Sequence, residues 1–519
     1  MQIWRRHPAA VLAAMVTGAA LAVHAWHAVG TGCYVDFVTG VWLALADDVR
    51  HGVFYRALIG PDGYGGTRYF PLFFTLIGAA MRAGADPLAA GFLVSLSSGA
   101  LLVVGLRRML ARIGLPSALA WSLALFVFAP GFTQQALLAI KSDILAGALV
   151  VWGLVWAWPA FDEEHPAPSY LLAAGACFAL AAATKVTSLY APAAAVVALA
   201  LAGRHRSALR LGAIAGAGTA VAVLGTIAAS SGRALESWQA CALAGAGVVE
   251  WLQAMPSVLM TQVILPSRAF AVVLAASAGA WLVLLVGRGH RLPLVLFPAA
   301  LIATLVVLAS PGTSYTNQLV ELFTVCVIVA GWALARHPRL WPSAGVVLLV
   351  LAAGIARQSL QPVSDPARRD RARRMSAERI ELVRDLAALR GPVFSESPEL
   401  LVMGGRRPFM IDPFALRVVT LTRPDVLGDV VGKLQARSFP AVVLMYDPDS
   451  AAGRGWYTNM DLGWPITSAI LDNYELAGLK AGFRVYRPRP ARAPELADAP
   501  AAAAPTVESK RGTSAPNRP

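Results

Sequence analysis

Long apolar runs separated by short basic connectors fill most of the first 360 residues of the chain. A helix needs roughly 20 residues to cross a hydrocarbon core about 30 Å thick. Runs near 9–29, 87–106, 116–131, 137–158, 169–184, 187–202, 208–229, 268–287, 292–309, 318–335 and 341–357 approach that length. They predict an α-helical polytopic membrane protein with about eleven transmembrane helices. Arg5-Arg6, Arg107-Arg108 with Arg112, Arg204 to Arg210, Arg288 with Arg291, and Arg336 with Arg339 then share one side, which the positive-inside rule makes cytoplasmic. The N-terminus is expected inside, and everything after the last run outside. Two stretches of the first outer loop are expected to be interfacial helices. In 37–51, Phe37, Val41, Leu45 and Val49 recur every fourth residue; 70–84 is short for a span, and a crossing there would put the Arg107 cluster outside. The segment 234–265, carrying Glu236, Trp238, Glu250 and Trp251 between broken apolar pieces, reads as an outer, partly interfacial loop.

The pattern changes past residue 358. Residues 366–381 are dense in Arg, and the apolar runs beyond them are short. Pro392-Val393-Phe394, Ala441 to Tyr446 and Phe483 to Tyr486 predict buried strands, and 378–389 a helix. Three regions follow: a transmembrane domain over 1–360, a small extracytoplasmic α/β domain over 364–487, and an Ala/Pro/Arg-rich tail over 488–519 too poor in apolar residues to fold.

Composition supports the membrane reading: 57% of residues are hydrophobic and 14% charged, with a mean hydropathy of +0.59. The net charge of +14 sits in the connectors and is explained by topology, so nucleic acid is not an expected partner. The basic start Met-Gln-Ile-Trp-Arg-Arg-His-Pro resembles a signal peptide, but the length of the run after it predicts a retained first helix. Cys33, Cys177, Cys241 and Cys326 show no metal-ligand spacing; Cys33 and Cys241 would share the outer side, which leaves a disulfide open.

Ionisable side chains in or beside spans are costly, about 2.5–3.5 kcal/mol at mid-bilayer, and are therefore candidates for function. Asp36, Asp47, Asp48, Arg68, Lys141, Asp143, Lys185, Asn317 and Glu321 all fall at or near the outer face in this topology. Asp36 directly precedes a helix, so it reads equally as an N-cap or as a carboxylate acting as general base or holding a divalent metal ion. Adjacent Asp47 and Asp48 point about 100° apart on a helix and are expected on a solvated face. Lys141 and Asp143 open a span, either as a self-neutralising pair or as an anion site. Lys185, between two apolar runs, could meet a lipid phosphate as a point charge. Asn317 and Glu321 lie one helical turn apart, as partners on one face or as an ordinary loop and cap. No phosphate-binding glycine loop, dinucleotide fingerprint or zinc pattern is present. A transporter or lipid flippase also fits many spans with intramembrane charge, although no internal repeat is evident.

Together, Tyr34-Val35-Asp36-Phe37, Gly52-Val53-Phe54-Tyr55 and Arg68-Tyr69-Phe70-Pro71-Leu72 resemble the first-loop pattern of bacterial GT-C-type glycosyltransferases. Lys141-Ser142-Asp143-Ile144-Leu145-Ala146, the Ala-rich run to Thr184-Lys185, and Asn317 with Glu321 are similar to later landmarks of that superfamily, which includes the protein O-mannosyltransferase and aminoarabinose transferase group. The resemblance spans roughly 1–360 and implies an enzyme of the bacterial inner membrane. Such an enzyme takes a sugar from a polyprenyl-phosphate carrier and transfers it to a glycan, lipid or protein acceptor of the cell envelope, usually with inversion. It implies Asp36 as the catalytic or metal-proximal acid. Donor-phosphate or substrate contacts would fall to Arg68, Tyr69, Lys141, Asp143, Lys185, Asn317 and Glu321. The chain departs from the pattern at Phe70, where the family often carries a second proline before Pro71.

Overall fold

The structure is a computed structural model that describes residues 7–163, 165–242, 268–286, 290–309 and 316–490, with a few residues between 252 and 261. The expectations for Glu250 and Trp251, for 312–315 and for the tail beyond 490 lie outside the described residues. The rest is mainly helical, and each apolar run carries a helix. Among the described residues six helices are long and apolar enough to cross a membrane, including Pro8–Thr31, Pro87–Arg112, His205–Ala229 and Arg291–Leu308. A seventh crossing results if Ser117–Phe126 and Gly131–Leu138 form one span. By length and composition this is fewer than the eleven expected, because Pro168–Thr184, Val186–Leu201, Phe270–Val286 and Leu319–Ala335 are shorter.

The run 116–131 does not form a continuous helix. It ends at Phe126, and Gly131–Leu138 leaves at 77°. Pro130 stands at the break, where its missing N–H and the bias it imposes on its predecessor disfavour a continued helix. Gly131–Leu138 then delivers a short buried turn, 139–142, that starts the helix Asp143–Ala157. In that turn Ile140 is fully buried with φ +51, a left-handed conformation that crowds a β-branched residue. Gly91 makes room for it, since a Cβ there would lie 2.7 Å from Ile140 Cδ1.

The first loop is enclosed by protein. Helix Phe37–Arg50 is buried over Phe37 to Asp48, instead of resting one apolar stripe on a bilayer. It lies against Pro71–Arg82, a helix of 12 residues and roughly 18 Å, too short to span. On another side the helix Glu399–Met403 crosses at Gly40, where a Cβ would meet Glu399 N at 2.8 Å. Asp47 and Asp48 are buried too, contrary to the solvated face expected of them. Arg56 reaches Asp48 at 2.6 Å and Arg407, from the C-terminal segment, reaches it at 3.3 Å, so its charge is matched on both sides.

The C-terminal segment holds a four-stranded sheet in the order 394–395, 442–444, 483–488, 474–480. The first pair is parallel and the others antiparallel, with an irregularity between Leu476 and Gly478. The edge strand Tyr474–Lys480 was not anticipated from the pattern, because five of its seven residues are exposed and no alternation shows. The first loop joins this segment through backbone: Tyr64 N donates to Phe409 O at 2.6 Å, and Ile411 N donates to Tyr64 O at 3.3 Å. Gly63, at φ +102, allows the approach, as a Cβ there would lie 2.8 Å from the Phe409 carbonyl carbon. All four cysteines are unpaired, with Cys33 exposed and Cys241 buried against the C-terminal core.

Candidate functional site

Six of the residues singled out by sequence meet around one cavity of about 180 Å³. Arg68 and Tyr69 come from the first loop, Lys141 and Asp143 from the turn after the 77° bend, Lys185 from the end of Pro168–Thr184, and Asn317 from the 3-10 turn before Leu319–Ala335. Trp42, Phe70, Thr184 and Gln318 are also part of the wall, with the Trp42 ring centred 4.2 Å from the Tyr69 ring. Burial pushes the Tyr69 phenol well above its usual range, so it stays a neutral donor. Glu321 lines a smaller adjoining space with Lys185 and Tyr190.

The charges form two sets. Lys185 Nζ lies 2.7 Å from Asp143 Oδ1 and 3.4 Å from Glu321 Oε1. Asn317 Nδ2 donates to the other Asp143 oxygen at 2.8 Å, and Ser188 Oγ donates to Glu321 Oε2 at 3.0 Å. The Lys185 ammonium is thus compensated twice and fixed in position, the condition under which a buried ion is tolerated. Lys141 does not neutralise its neighbour Asp143, as an isolated pair would. Its Nζ instead lies 3.0 Å from Asp36 Oδ2.

Asp36 is both a cap and a member of the site. Its Oδ1 accepts from Thr39 N at 2.9 Å, and Thr39 Oγ1 accepts from Asp36 N at 3.3 Å, forming a capping box. Thr39 Oγ1 also donates to Ala139 O at 2.6 Å, tying the cap to the strained turn that carries Lys141. Thr39, which the sequence reading passed over, is thereby the residue that sets Asp36 against Lys141. The spacing Asp36-x-x-Thr39 was the available signal. Asp36 does not line the cavity of Arg68 and Lys185. Its side chain, 26% exposed, faces a second cavity of about 210 Å³ against the C-terminal segment, with Arg379, Ser397 and Glu399. The Asp36–Lys141 pair therefore stands between the two cavities, Lys141 lining one and Asp36 the other.

Arg68 differs from the two lysines. Its guanidinium lies over the Phe414 ring at 4.1 Å, and among the described residues no carboxylate pairs with it. Asp412 caps the helix Pro413–Thr420 through Ala415 N at 3.0 Å, a helix start that places Phe414 beneath Arg68. Asp412 is fully buried, and its carboxyl is pushed upward by that burial against the opposing pull of Arg68. A cation supported by an aromatic face and left without an ion pair can accept an anionic ligand. A metal fits less well. Among the described residues no three His, Cys, Asp or Glu side chains come together to hold one, and both Asp36 oxygens already have partners.

Residues 69–311 match glycosyltransferase family 87. No curated protein matches the chain in sequence. Solved structures share its fold. ArnT from Cupriavidus metallidurans in the apo state superposes with a TM-score of 0.54 at 13% identity, covering 86% of this chain and 92% of that one. The same protein bound to undecaprenyl phosphate gives 0.52 at 13% identity, over 90% and 97%. The Archaeoglobus fulgidus oligosaccharyltransferase in complex with zinc and sulfate gives 0.52 at 12% identity, over 90% and 73%.

Proposed function

We propose, for a chain that carries the fold of the GT-C-type integral-membrane glycosyltransferases, transfer of a sugar from a polyprenyl-phosphate carrier to a hydroxyl of a cell-envelope acceptor. The observation that carries this reading is the Asp36–Lys141 pair at 3.0 Å, with an acid facing one cavity and a cation facing the other. The carrier phosphate sits among Arg68, Lys141 and Lys185, and the acceptor hydroxyl approaches Asp36 from the side of the C-terminal segment. Asp36 takes the proton of that hydroxyl as its oxygen attacks the anomeric carbon. The bond from that carbon to the phosphate oxygen breaks, and the charge left on the carrier is stabilised by cations already in place. Arg68 makes the main phosphate contact because no carboxylate among the described residues holds it in a direct ion pair, Asp412 acting on it only from farther off. Lys185 supplies a fixed field, held by Asp143 and Glu321, and Tyr69 and Asn317 supply neutral hydrogen bonds. The fit to ArnT bound to undecaprenyl phosphate supports the class of carrier.

In this reading the four shorter apolar helices complete the eleven crossings. The N-terminus is cytoplasmic, and residues 364–487 form an extracytoplasmic α/β domain of a bacterial inner-membrane protein. The direct test is loss of sugar from a panel of polyprenyl-phosphate sugars, assayed with and without divalent metal beside Asp36→Asn. Asparagine caps a helix as well as aspartate does, so this variant keeps the cap and removes the base. Turnover of one donor that disappears in Asp36→Asn is expected; undiminished turnover in the variant overturns the assignment.

A further inference from the structure

A third cavity, about 390 Å³ and larger than the one proposed for the donor phosphate, opens where Pro8–Thr31 ends against Pro366–Ala387. Arg368, Arg371, Arg379 and His27 line it, with Cys33 and Pro362, and no carboxylate does. Arg368 is partly matched by Asp365 at 3.3 Å, an exposed pair. Arg379 donates to the Gly32 carbonyl at 3.0 Å and also acts on Glu399 across the neighbouring cavity, with no carboxylate within ion-pair distance among the described residues. Among the described residues Arg371 pairs with no carboxylate, and His27 Nε2 and Arg379 Nε are buried without a hydrogen-bond partner. Three guanidinium groups around one space, with donors left over, ask for an anion with several acceptor oxygens.

The position of the cavity narrows the choice. Pro8–Thr31 and Trp341–Ser364, two apolar helices that pack along each other, both finish at its floor. One turn below, Trp26 is 82% exposed, beside the exposed Val23 and Val29. An outward Trp close to the end of an apolar helix marks the level where hydrocarbon gives way to headgroups. A ligand here meets arginines at its head and an apolar helix face beneath. We infer that this cavity binds the phosphate of an anionic membrane lipid, with its acyl chains lying along the exposed face of Pro8–Thr31. Arg379 also borders the cavity that Asp36 faces, whereas Arg368 and Arg371 line this one alone, and the inference does not depend on the transfer chemistry.

The full chain, purified in neutral detergent, is offered phosphatidylglycerol or phosphatidylcholine and the retained lipid is counted by native mass spectrometry. Preferential retention of phosphatidylglycerol is expected, weakened on the order of fivefold for each arginine removed in Arg368→Gln and Arg371→Gln, both exposed side chains. Cys33 gives a second readout, being the exposed cysteine at the mouth of the cavity. Its maleimide labelling should slow with phosphatidylglycerol in the wild type and not in the double variant. Equal retention of both lipids, or retention unchanged in the double variant, would overturn the inference. Equal slowing by inorganic phosphate alone would leave a general anion site and remove the lipid assignment.

Discussion

The cavity lined by Lys185 and the stretch 396–399 of the C-terminal segment handle buried acids in opposite ways. Around Lys185, Asp143 and Glu321 each meet a cation within 3.4 Å, and hydroxyl or amide donors take the remaining oxygens. In the C-terminal segment, Glu396 is held by the neutral donors Met445 N, Trp456 Nε1 and Tyr457 OH at 2.6–2.8 Å, without an ion pair. Glu399 has no hydrogen-bond partner for either oxygen among the described residues. Burial raises Glu399 to about 7 against the pull of Arg379, with Asp36 adding to the rise. The same residue types are thus fixed as ions in one region and pressed toward the neutral form in the other. Asp36 lies on the boundary, paired with a lysine from the first region and facing Glu399 in the second.

The largest break in this contrast is expected at Asp36 itself. Asp36→Asn should lower transfer by roughly 10²–10⁴-fold, the range for a general base, and should lower thermal stability only through the weakened pairing of buried Lys141, since the helix cap is kept. Asp36→Ala should add about 1 kcal/mol of destabilisation from the lost cap, so comparing the two variants separates capping from chemistry. Arg68→Gln comes next, with a fall in kcat/KM on the order of 10²-fold, read from initial rates at subsaturating donor. Lys185→Met leaves Asp143 and Glu321 as uncompensated buried acids and should cost about 3–5 kcal/mol of stability. Its melting temperature in detergent should recover in part when Glu321→Gln is added.

Two smaller effects sharpen the other region. Gly40→Ala forces a Cβ to 2.8 Å from Glu399 N and 2.9 Å from Pro398 Cδ, and should loosen the loop from the C-terminal segment by about 1–3 kcal/mol. Glu399 tests the neutral-acid reading. Its folded value lies above its ordinary 4.5, so between 4.5 and about 7 the folded state binds more protons than the unfolded one, and stability falls as pH rises through that window. Glu399→Gln should flatten this part of the melting-temperature profile and leave the variant the more stable protein above pH 7. Parallel profiles for the two proteins would place the cause elsewhere.

Much of the cavity around Lys185 was legible because an ionisable residue in an apolar run has few reasons to be there: Lys141, Asp143, Lys185 and Glu321 stand out one by one. Their pairing was not. Lys141 is two residues from Asp143 yet pairs with Asp36, 105 positions away, because the turn through Ile140 swings it toward the Thr39 cap. The burial of Asp48 was hidden for the same reason, since Arg407 lies 359 residues on. Phe414 and Glu399 reach the site only through tertiary contact between the first loop and a segment that composition marks as separate. The helix positions followed from apolar periodicity, whereas the break at Pro130 required knowing where the next helix packs.

The central claim is that Arg68 holds the carrier phosphate while Asp36 acts on the acceptor. Binding of sugar-free undecaprenyl phosphate to the purified wild type, Asp36→Asn and Arg68→Gln separates these roles. Asp36→Asn is expected to bind at least as tightly as the wild type, because Lys141 loses its competing carboxylate, and Arg68→Gln is expected to bind more weakly by about tenfold or more. Unchanged binding in Arg68→Gln, or loss of binding in Asp36→Asn, would contradict the account.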